Sequence, residues 1–233
     1  MPERLLTTDQ VRAFYDRFGR KQDWQWFYEG PALRDLITHG GFEHAGAVFE
    51  LGCGTGSFAE RLFAQVLSSA ACYVGVDLSS TMADLARARL ARYTDRARIE
   101  LTDGSLHFPW PDGSFDRFVA NYVLDLLAPS DINTALAEAH RLLRPGGRLC
   151  LLSLTHGCTV PSRALVGLWS RIHRRNPARV GGCRPVQLLE FVDTGHWRVD
   201  YQHVHVAWGV PSQVVIASRR HDTPNAGPGG AVE

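Results

Sequence analysis

Nothing in the 233 residues looks like a membrane span, because no stretch reaches the roughly 18 uninterrupted apolar residues that a bilayer-crossing helix needs. The opening Met1-Pro2-Glu3-Arg4 runs straight into polar residues, so no secretory signal peptide is expected. Cysteine pairing is missing too. The five cysteines (Cys53, Cys72, Cys150, Cys158, Cys183) are odd in number and show no Cys-x-x-Cys spacing. That argues against a disulfide framework or a zinc site, leaves no metal to expect, and fits a reducing cytoplasm. An excess of charge is also absent. With 25 Lys+Arg against 24 Asp+Glu there is no broad basic field to attract nucleic acid or anionic lipid. There is no internal repeat.

What is present suits one large α/β domain: 45% of residues are hydrophobic, enough for a full core. Thr8 to Gly40 is helical in pattern and rich in aromatics, including Phe14, Tyr15, Phe18, Trp24, Trp26, Phe27 and Tyr28. Short apolar runs then alternate with helical periodicity. Strands are predicted at residues 47–51, 72–77, 98–101, 115–120 and 148–154. Helices are predicted at 57–67, after a cap at Ser79 or Ser80, and at 131–143, where Pro145-Gly146-Gly147 stops the last of them. This rhythm predicts right-handed crossovers and a doubly wound, mainly parallel sheet. Further on, 161–175 and 185–192 look helical. Trp197 to Trp208 and Gln213 to Ala217 look like strands, and the Gly209-Val210-Pro211-Ser212 link between them is too short for a crossover helix, so that pair is expected to be antiparallel. The expected organisation is an N-terminal helical lid over 1–45, a ligand-binding domain over 46–218, and a disordered Pro/Gly-rich tail over 219–233.

The most informative stretch is Glu50-Leu51-Gly52-Cys53-Gly54-Thr55-Gly56, between the first strand and the first helix after it. In doubly wound sheets ligands sit at the carboxyl ends of strands, and glycines there let the backbone approach a ligand with no Cβ in the way. The glycines fall as Gly-x-Gly-x-Gly, with Ser57 where a dinucleotide site wants its last glycine, and no Gly-Lys-Ser/Thr follows, so NAD, FAD and ATP are disfavoured. Asp77 ends the second strand, where an acid can receive both hydroxyls of a ribose. Asp103, followed by Gly104 and Ser105, closes the third, where a carboxylate can accept from an adenine amino group.

These residues resemble a class I S-adenosylmethionine-dependent methyltransferase, of the small-molecule branch similar to the ubiquinone/menaquinone C-methyltransferases. The matching pieces are Glu50-x-Gly52-x-Gly54-x-Gly56, Val74-Gly75-Val76-Asp77-Leu78-Ser79, and Asp103 ahead of Phe108-Pro109. They continue through Phe115-Asp116 and Leu142-Leu143-Arg144-Pro145-Gly146-Gly147, covering about Val48 to Leu154. The resemblance implies a seven-stranded Rossmann-like sheet with its last strand antiparallel, and S-adenosylmethionine as cofactor. It puts Glu50 and the loop Gly52, Cys53, Gly54 and Gly56 beside the methionine part. Asp77 would hold the ribose, with Leu78 against the adenine, Asp103 and Gly104 near its amino group, and Asn121 close to the methionine amino group. The implied partner is a small-molecule methyl acceptor rather than nucleic acid or membrane, for a monomer or homodimer.

A sulfonium methyl is already activated, so the protein's task is positioning and exclusion of water. Tyr15, Tyr28 and Tyr122 are the candidate lid and acceptor-contacting residues. Arg184, in the loop Gly181-Gly182-Cys183-Arg184-Pro185, is a candidate to pair an anionic group. If the acceptor must lose a proton, His107 or His156 is the candidate base. Other readings stay open. Adenine-amino methylators follow the fourth strand with Asn/Asp-Pro-Pro-aromatic, whereas here stands Asn121-Tyr122-Val123-Leu124; a nucleic-acid or protein methyltransferase is one alternative, and a non-catalytic cofactor-binding scaffold is the other.

Overall fold

A computed structural model describes residues 5–220 of the chain. Helix α1 (Thr8–Phe18) starts at a capping box in which the Thr7 N–H donates to Gln10 Oε1 (3.0 Å) and the Gln10 N–H to Thr7 Oγ1 (3.3 Å). Gly19, at φ +50°, ends it, and a 3-10 segment, Gly19–Gln25, leads into α2 (Trp26–Gly40). The aromatic opening is therefore two helices with a corner rather than one continuous run. The remaining elements are β1 (Ala47–Leu51), α3 (Ser57–Gln65), β2 (Cys72–Asp77), α4 (Ser80–Arg89), β3 (Ala97–Leu101), β4 (Phe115–Asn121) and α5 (Pro129–Leu142). They are followed by β5 (Leu143–Leu154), α6 (Val160–Arg175), β6 (Trp197–Ala207) and β7 (Val210–Arg219).

The seven strands form one sheet in the order β3-β2-β1-β4-β5-β7-β6, parallel throughout except where β7 pairs antiparallel with both neighbours. The order reverses direction between β1 and β4, so a crevice opens at their carboxyl ends. Strand side chains alternate between two cores. Val48, Val119, Cys150, Leu152, Val214 and Ile216 join Leu36 of α2 and Leu62 of α3. Phe49, Phe118, Leu149, Leu151 and Val215 join Ile132, Leu136 and Leu142 of α5 on the other face.

Three local expectations are corrected. Helix α5 gives way to β5 at Leu143, ahead of the glycines, since the residue before Pro145 is driven out of the helical region; Pro145-Gly146-Gly147 instead forms an irregularity in β5, where register jumps from Phe115↔Leu143 to Arg117↔Arg148. Residues 185–192 hold only a 3-10 turn, Leu188–Glu190, because the Val186 N–H donates to Leu154 O (2.8 Å) and the Leu188 N–H to Gln213 Oε1 (3.0 Å) rather than to helical partners. Between β6 and β7 only Trp208-Gly209 turn, both at positive φ (54° and 82°), as a tight two-residue hairpin requires. Arg219 belongs to β7, and the part of the expected tail from 221 on lies outside the described residues.

Arg117 ties α2 to the sheet. The residue is 7% exposed, and its guanidinium donates to Asp116 O (2.9 Å) on its own strand and to Gly40 O (2.7 Å) and Gly41 O, the last carbonyl of α2 and that of its cap. Burial depresses its pKa. We expect Arg117→Met to cost about 2–3 kcal/mol in urea unfolding, since buried carbonyls lose charged donors. A change below about 0.5 kcal/mol, the surface-mutation range, would show that water replaces the guanidinium.

Candidate active site

The glycine loop is bolted to its neighbour strand: the Gly52 and Cys53 N–H groups both donate to Val76 O (2.9 and 3.0 Å). Its glycines serve different partners. A Cβ at Gly54 (φ +53°) would stand 2.7 Å from Gln22 Oε1, whereas one at Gly56 (φ +75°) would stand 3.1 Å from Ala86 of α4. Gly54 therefore faces the crevice, and Gly56 lets α3 and α4 pack closely.

Asp77, 9% exposed, staples the loop. Its Oδ2 accepts from the Gly54 N–H (2.8 Å) and its Oδ1 from the Ser79 N–H (2.9 Å). Burial raises its carboxyl above the usual range despite these donors. Ser79 is the cap of α4, accepting from the Met82 N–H (3.1 Å), and its hydroxyl donates to Asp16 of α1 (2.5 Å). Asp16 also accepts from the Thr81 N–H (3.3 Å), so α1 is latched over the end of β2.

Glu50 is 1% exposed and takes donors from two strands: Tyr73 Oη to Oε2 (2.5 Å) and Asn121 Nδ2 to Oε1 (3.0 Å). Burial pushes its carboxyl up to about 7. Asn121 Oδ1 and Gln22 Oε1 are buried without a hydrogen-bond partner. Beyond Asn121, Tyr122 has φ +51°, an outlier for an aromatic residue, held by its N–H to Leu152 O (2.7 Å) and its hydroxyl to Ser212 Oγ (2.8 Å).

Two cavities meet at this crevice. The first, about 440 Å³, is walled by Gly52, Gly54, Asp77, Leu78, Gly104 and Asn121, with Val11 and Arg12 of α1. The second, about 870 Å³, is aromatic and acidic, with Tyr15, Trp26, Tyr28, Glu29, Glu50 and Asp125 in its wall. Tyr15, Gln22, Gly52, Gly54, Asn121 and Tyr122 line both. Each volume lies in the range of small-ligand sites.

Of the residues singled out from sequence, Gly52, Gly54, Asp77, Leu78, Gly104, Asn121, Tyr15 and Tyr122 reach the first cavity, and Glu50, Cys53 and Tyr28 the second. Gly56 lines neither. Nor does Asp103: it is exposed, its Oδ1 accepts from the Ser105 N–H (2.8 Å), and the wall there is Thr102, Gly104, Ser105 and Leu106. His107 turns to Glu138 (3.1 Å) with its side chain 78% exposed, and His156 is exposed; neither lines a cavity. Arg184, the candidate to pair an anionic group, is buried. It is 7% exposed, donates to Leu127 O (2.7 Å) and lines neither cavity.

The structure adds residues that the sequence reading passed over. Gln22 comes from the corner between α1 and α2, where no periodicity distinguishes a ligand-facing side chain. Asp23 accepts from Thr55 Oγ1 (2.6 Å) and Arg89 (2.5 Å), clamping that corner to the glycine loop and α4. Asp125 is fully buried on the 3-10 turn Leu124–Leu126 just past β4, and burial raises its carboxyl to about 7. Its position four residues beyond the end of β4 was the available signal, by the same strand-end rule that singled out Asn121.

Residues 48–147 match the model of a family described as a methyltransferase domain. A demethylmenaquinone methyltransferase of Tropheryma whipplei is 35% identical over 109 residues, which cover 47% of this chain and 42% of that protein. A 2-phytyl-1,4-naphtoquinone methyltransferase of Nostoc sp. is 27% identical over 151 residues, 62% of this chain and 65% of that one. The chain thus spans roughly half the length of these curated relatives. Among solved structures, a putative methyltransferase from Bacillus halodurans shares the fold with a TM-score of 0.64 at 15% identity, covering 82% of this chain and 100% of that one.

Proposed function

We propose that this chain, whose residues 48–147 match a methyltransferase domain model, is a class I S-adenosylmethionine-dependent enzyme that transfers a methyl group from S-adenosylmethionine to a small-molecule acceptor seated in the second cavity. The observation that carries this reading is the shared wall: Gly52, Gly54, Asn121 and Tyr122 border both a glycine-loop cavity and an aromatic one, so two ligands can meet there. The residues suit the cofactor. Each Asp77 oxygen holds one backbone donor and keeps a lone pair for a ribose hydroxyl. The orphaned acceptors Asn121 Oδ1 and Gln22 Oε1, together with Glu50, would satisfy an amino-acid ammonium.

When bound, S-adenosylmethionine supplies an electrophilic methyl group on a positively charged sulfur. This chain's own residues bind, orient and exclude water. Asp77 would hold the sugar, Leu78 and the Thr102–Leu106 segment border the opposite end, and α1, latched through Asp16, closes the top. His107 and His156 do not line the acceptor cavity; of the acids in its wall, Asp23 is paired with Arg89 and Glu50 with Tyr73 and Asn121, and Glu29 and Asp125 are the candidates to face the acceptor. The test is calorimetric titration with S-adenosylhomocysteine, followed by methyl transfer from labelled S-adenosylmethionine to candidate acceptors. No cofactor binding sinks the proposal; tight binding without turnover on any acceptor would mark a scaffold.

Glu50 makes cofactor affinity pH-dependent. A bound ammonium favours the carboxylate, which burial holds near 7, so affinity should weaken by up to about tenfold per pH unit below that point. The apo protein should show the opposite trend. Its raised carboxyl keeps a proton that the unfolded chain releases near pH 4.5, so its contribution to stability is present at low pH and is lost as pH rises through about 7. Titrations and melts at pH 5.5 and 8.0 check both; a pH-independent dissociation constant would remove Glu50 from the ammonium's surroundings.

A further inference from the structure

The second cavity contains a group that the cofactor does not explain. Asp125 is 0% exposed, and neither carboxylate oxygen has a well-formed hydrogen bond, with only the backbone N–H groups of Leu154 and of Asp125 itself near enough to stabilise its charge weakly. Leaving an acceptor of this kind unmet costs several kcal/mol once it ionises. The charge of Arg184 offsets part of that burial; its guanidinium donates to Leu127 O (2.7 Å) and its backbone N–H to the Asp125 backbone carbonyl (3.1 Å). Around the same space stand Tyr15 from α1, Tyr28 and Glu29 from α2, and Tyr122 after β4. Tyr28 and Tyr122 meet edge to face at 6.4 Å. Two of the phenols are engaged elsewhere, Tyr122 with Ser212 and Tyr15 with Cys183 (3.9 Å), so their rings rather than their hydroxyls are offered to the cavity.

A buried carboxylate short of donors beside a second acid that accepts from Tyr28, both among aromatic rings, forms the chemistry that recognises a cation bearing N–H groups. We propose that the methyl acceptor is a cationic amine on an apolar or aromatic body, its nitrogen held by Asp125 and Glu29 within the Tyr15–Tyr28–Tyr122 cage. This rests on the methyl-transfer reading and names its substrate class. Arg89 does not compensate the two acids, since it is taken by Asp23 (2.5 Å) and Thr55 (2.7 Å); Arg61 lies over the Trp26 ring at 3.3 Å.

The same carboxylates serve the chemistry. An ammonium has no lone pair for attack, so one N–H proton passes to the Asp125 carboxylate. The freed lone pair forms the N–C bond to the methyl carbon as the C–S bond breaks, with its electron pair left on sulfur. The methylated nitrogen carries the positive charge, and the proton on Asp125 leaves to solvent with product. Burial raises Asp125 to about 7 and, with the charge of Asp125 adding to it, Glu29 to about 8, which narrows the gap to an amine titrating near 10.

The experiment uses the full chain loaded with S-adenosylhomocysteine, whose binding is measured first. Failure at that step overturns the methyl-transfer reading itself. The loaded protein is then titrated calorimetrically with 2-phenylethylamine, 2-phenylethanol and phenylacetate, the last being what Arg179 on the same cavity wall would favour. The expected result is binding of the amine about tenfold or more tighter than either isostere, with N-methylation when S-adenosylmethionine replaces the product. Asp125→Asn should erase the preference with cofactor affinity unchanged, and Glu29→Gln should reduce it. Equal binding of the alcohol, preferred binding of the acid, no binding of the amine, or a preference untouched by both variants overturns the inference with the cofactor site intact. If Asp125→Asn does not fold, the wild-type comparison and Glu29→Gln decide.

Discussion

Replacing Gly54 by valine should abolish measurable binding of S-adenosylhomocysteine, a loss of at least about two orders of magnitude, or about 2.8 kcal/mol. Two effects act together. The backbone at φ +53° lies in the left-handed region, which a β-branched side chain resists. The new Cβ would also stand 2.7 Å from Gln22 Oε1, displacing an orphaned acceptor that borders both cavities, while its γ carbons enter the crevice. The first obstruction is thus the protein's own Gln22, ahead of any contact with ligand. Gly146 provides the control. It has φ +75° with nothing within 4 Å of its would-be Cβ, so Gly146→Val carries similar backbone strain away from the site. It should lower the melting temperature and leave cofactor affinity alone. A folded Gly54→Val protein that binds normally would contradict the close approach.

Asp77→Ala is the second large effect, weakening cofactor binding by roughly 1.5–3 kcal/mol, the range for hydrogen bonds to a charged group. Asp77 is both a candidate ribose acceptor and the staple between the Gly54 and Ser79 amides, so two causes must be separated. Asp77→Asn keeps an acceptor oxygen for one amide and loses the charge. If the ribose role dominates, Asn should restore little affinity while recovering part of the apo stability lost in the alanine variant. If the staple dominates, affinity and melting temperature should fall and recover together. Unchanged affinity in Asp77→Ala would remove the carboxylate from the cofactor's surroundings altogether.

The residues legible in the sequence were those tied to backbone events. Gly52, Gly54 and Asp77 sit where a strand must stop and turn, and turn chemistry leaves a mark on residue type. Asp103 and His107 sat on the same rim, yet their side chains turn elsewhere, to the Ser105 amide and to Glu138. Side-chain direction at a strand end depends on partners that sequence order does not supply. Gln22, Glu29 and Asp125 were missed for a related reason. Each is ordinary in its local context, and each becomes significant only where distant segments meet; Arg184, from sequence a candidate to pair an anionic group, is buried and braces Leu127 O.

Alternating apolar runs and glycine punctuation determined, by themselves, the doubly wound sheet, the antiparallel β7 and the position of the loop, because local hydrogen-bonding periods and the right-handed crossover leave few other arrangements. The resemblance carried by those same motifs pointed to the cofactor. Which face each acid presents, and which of them is left buried and short of donors, was decided by tertiary packing alone. Burial and the meeting of α1, α2 and the turn after β4 are sums over contacts far apart in the chain, and no local pattern encodes them.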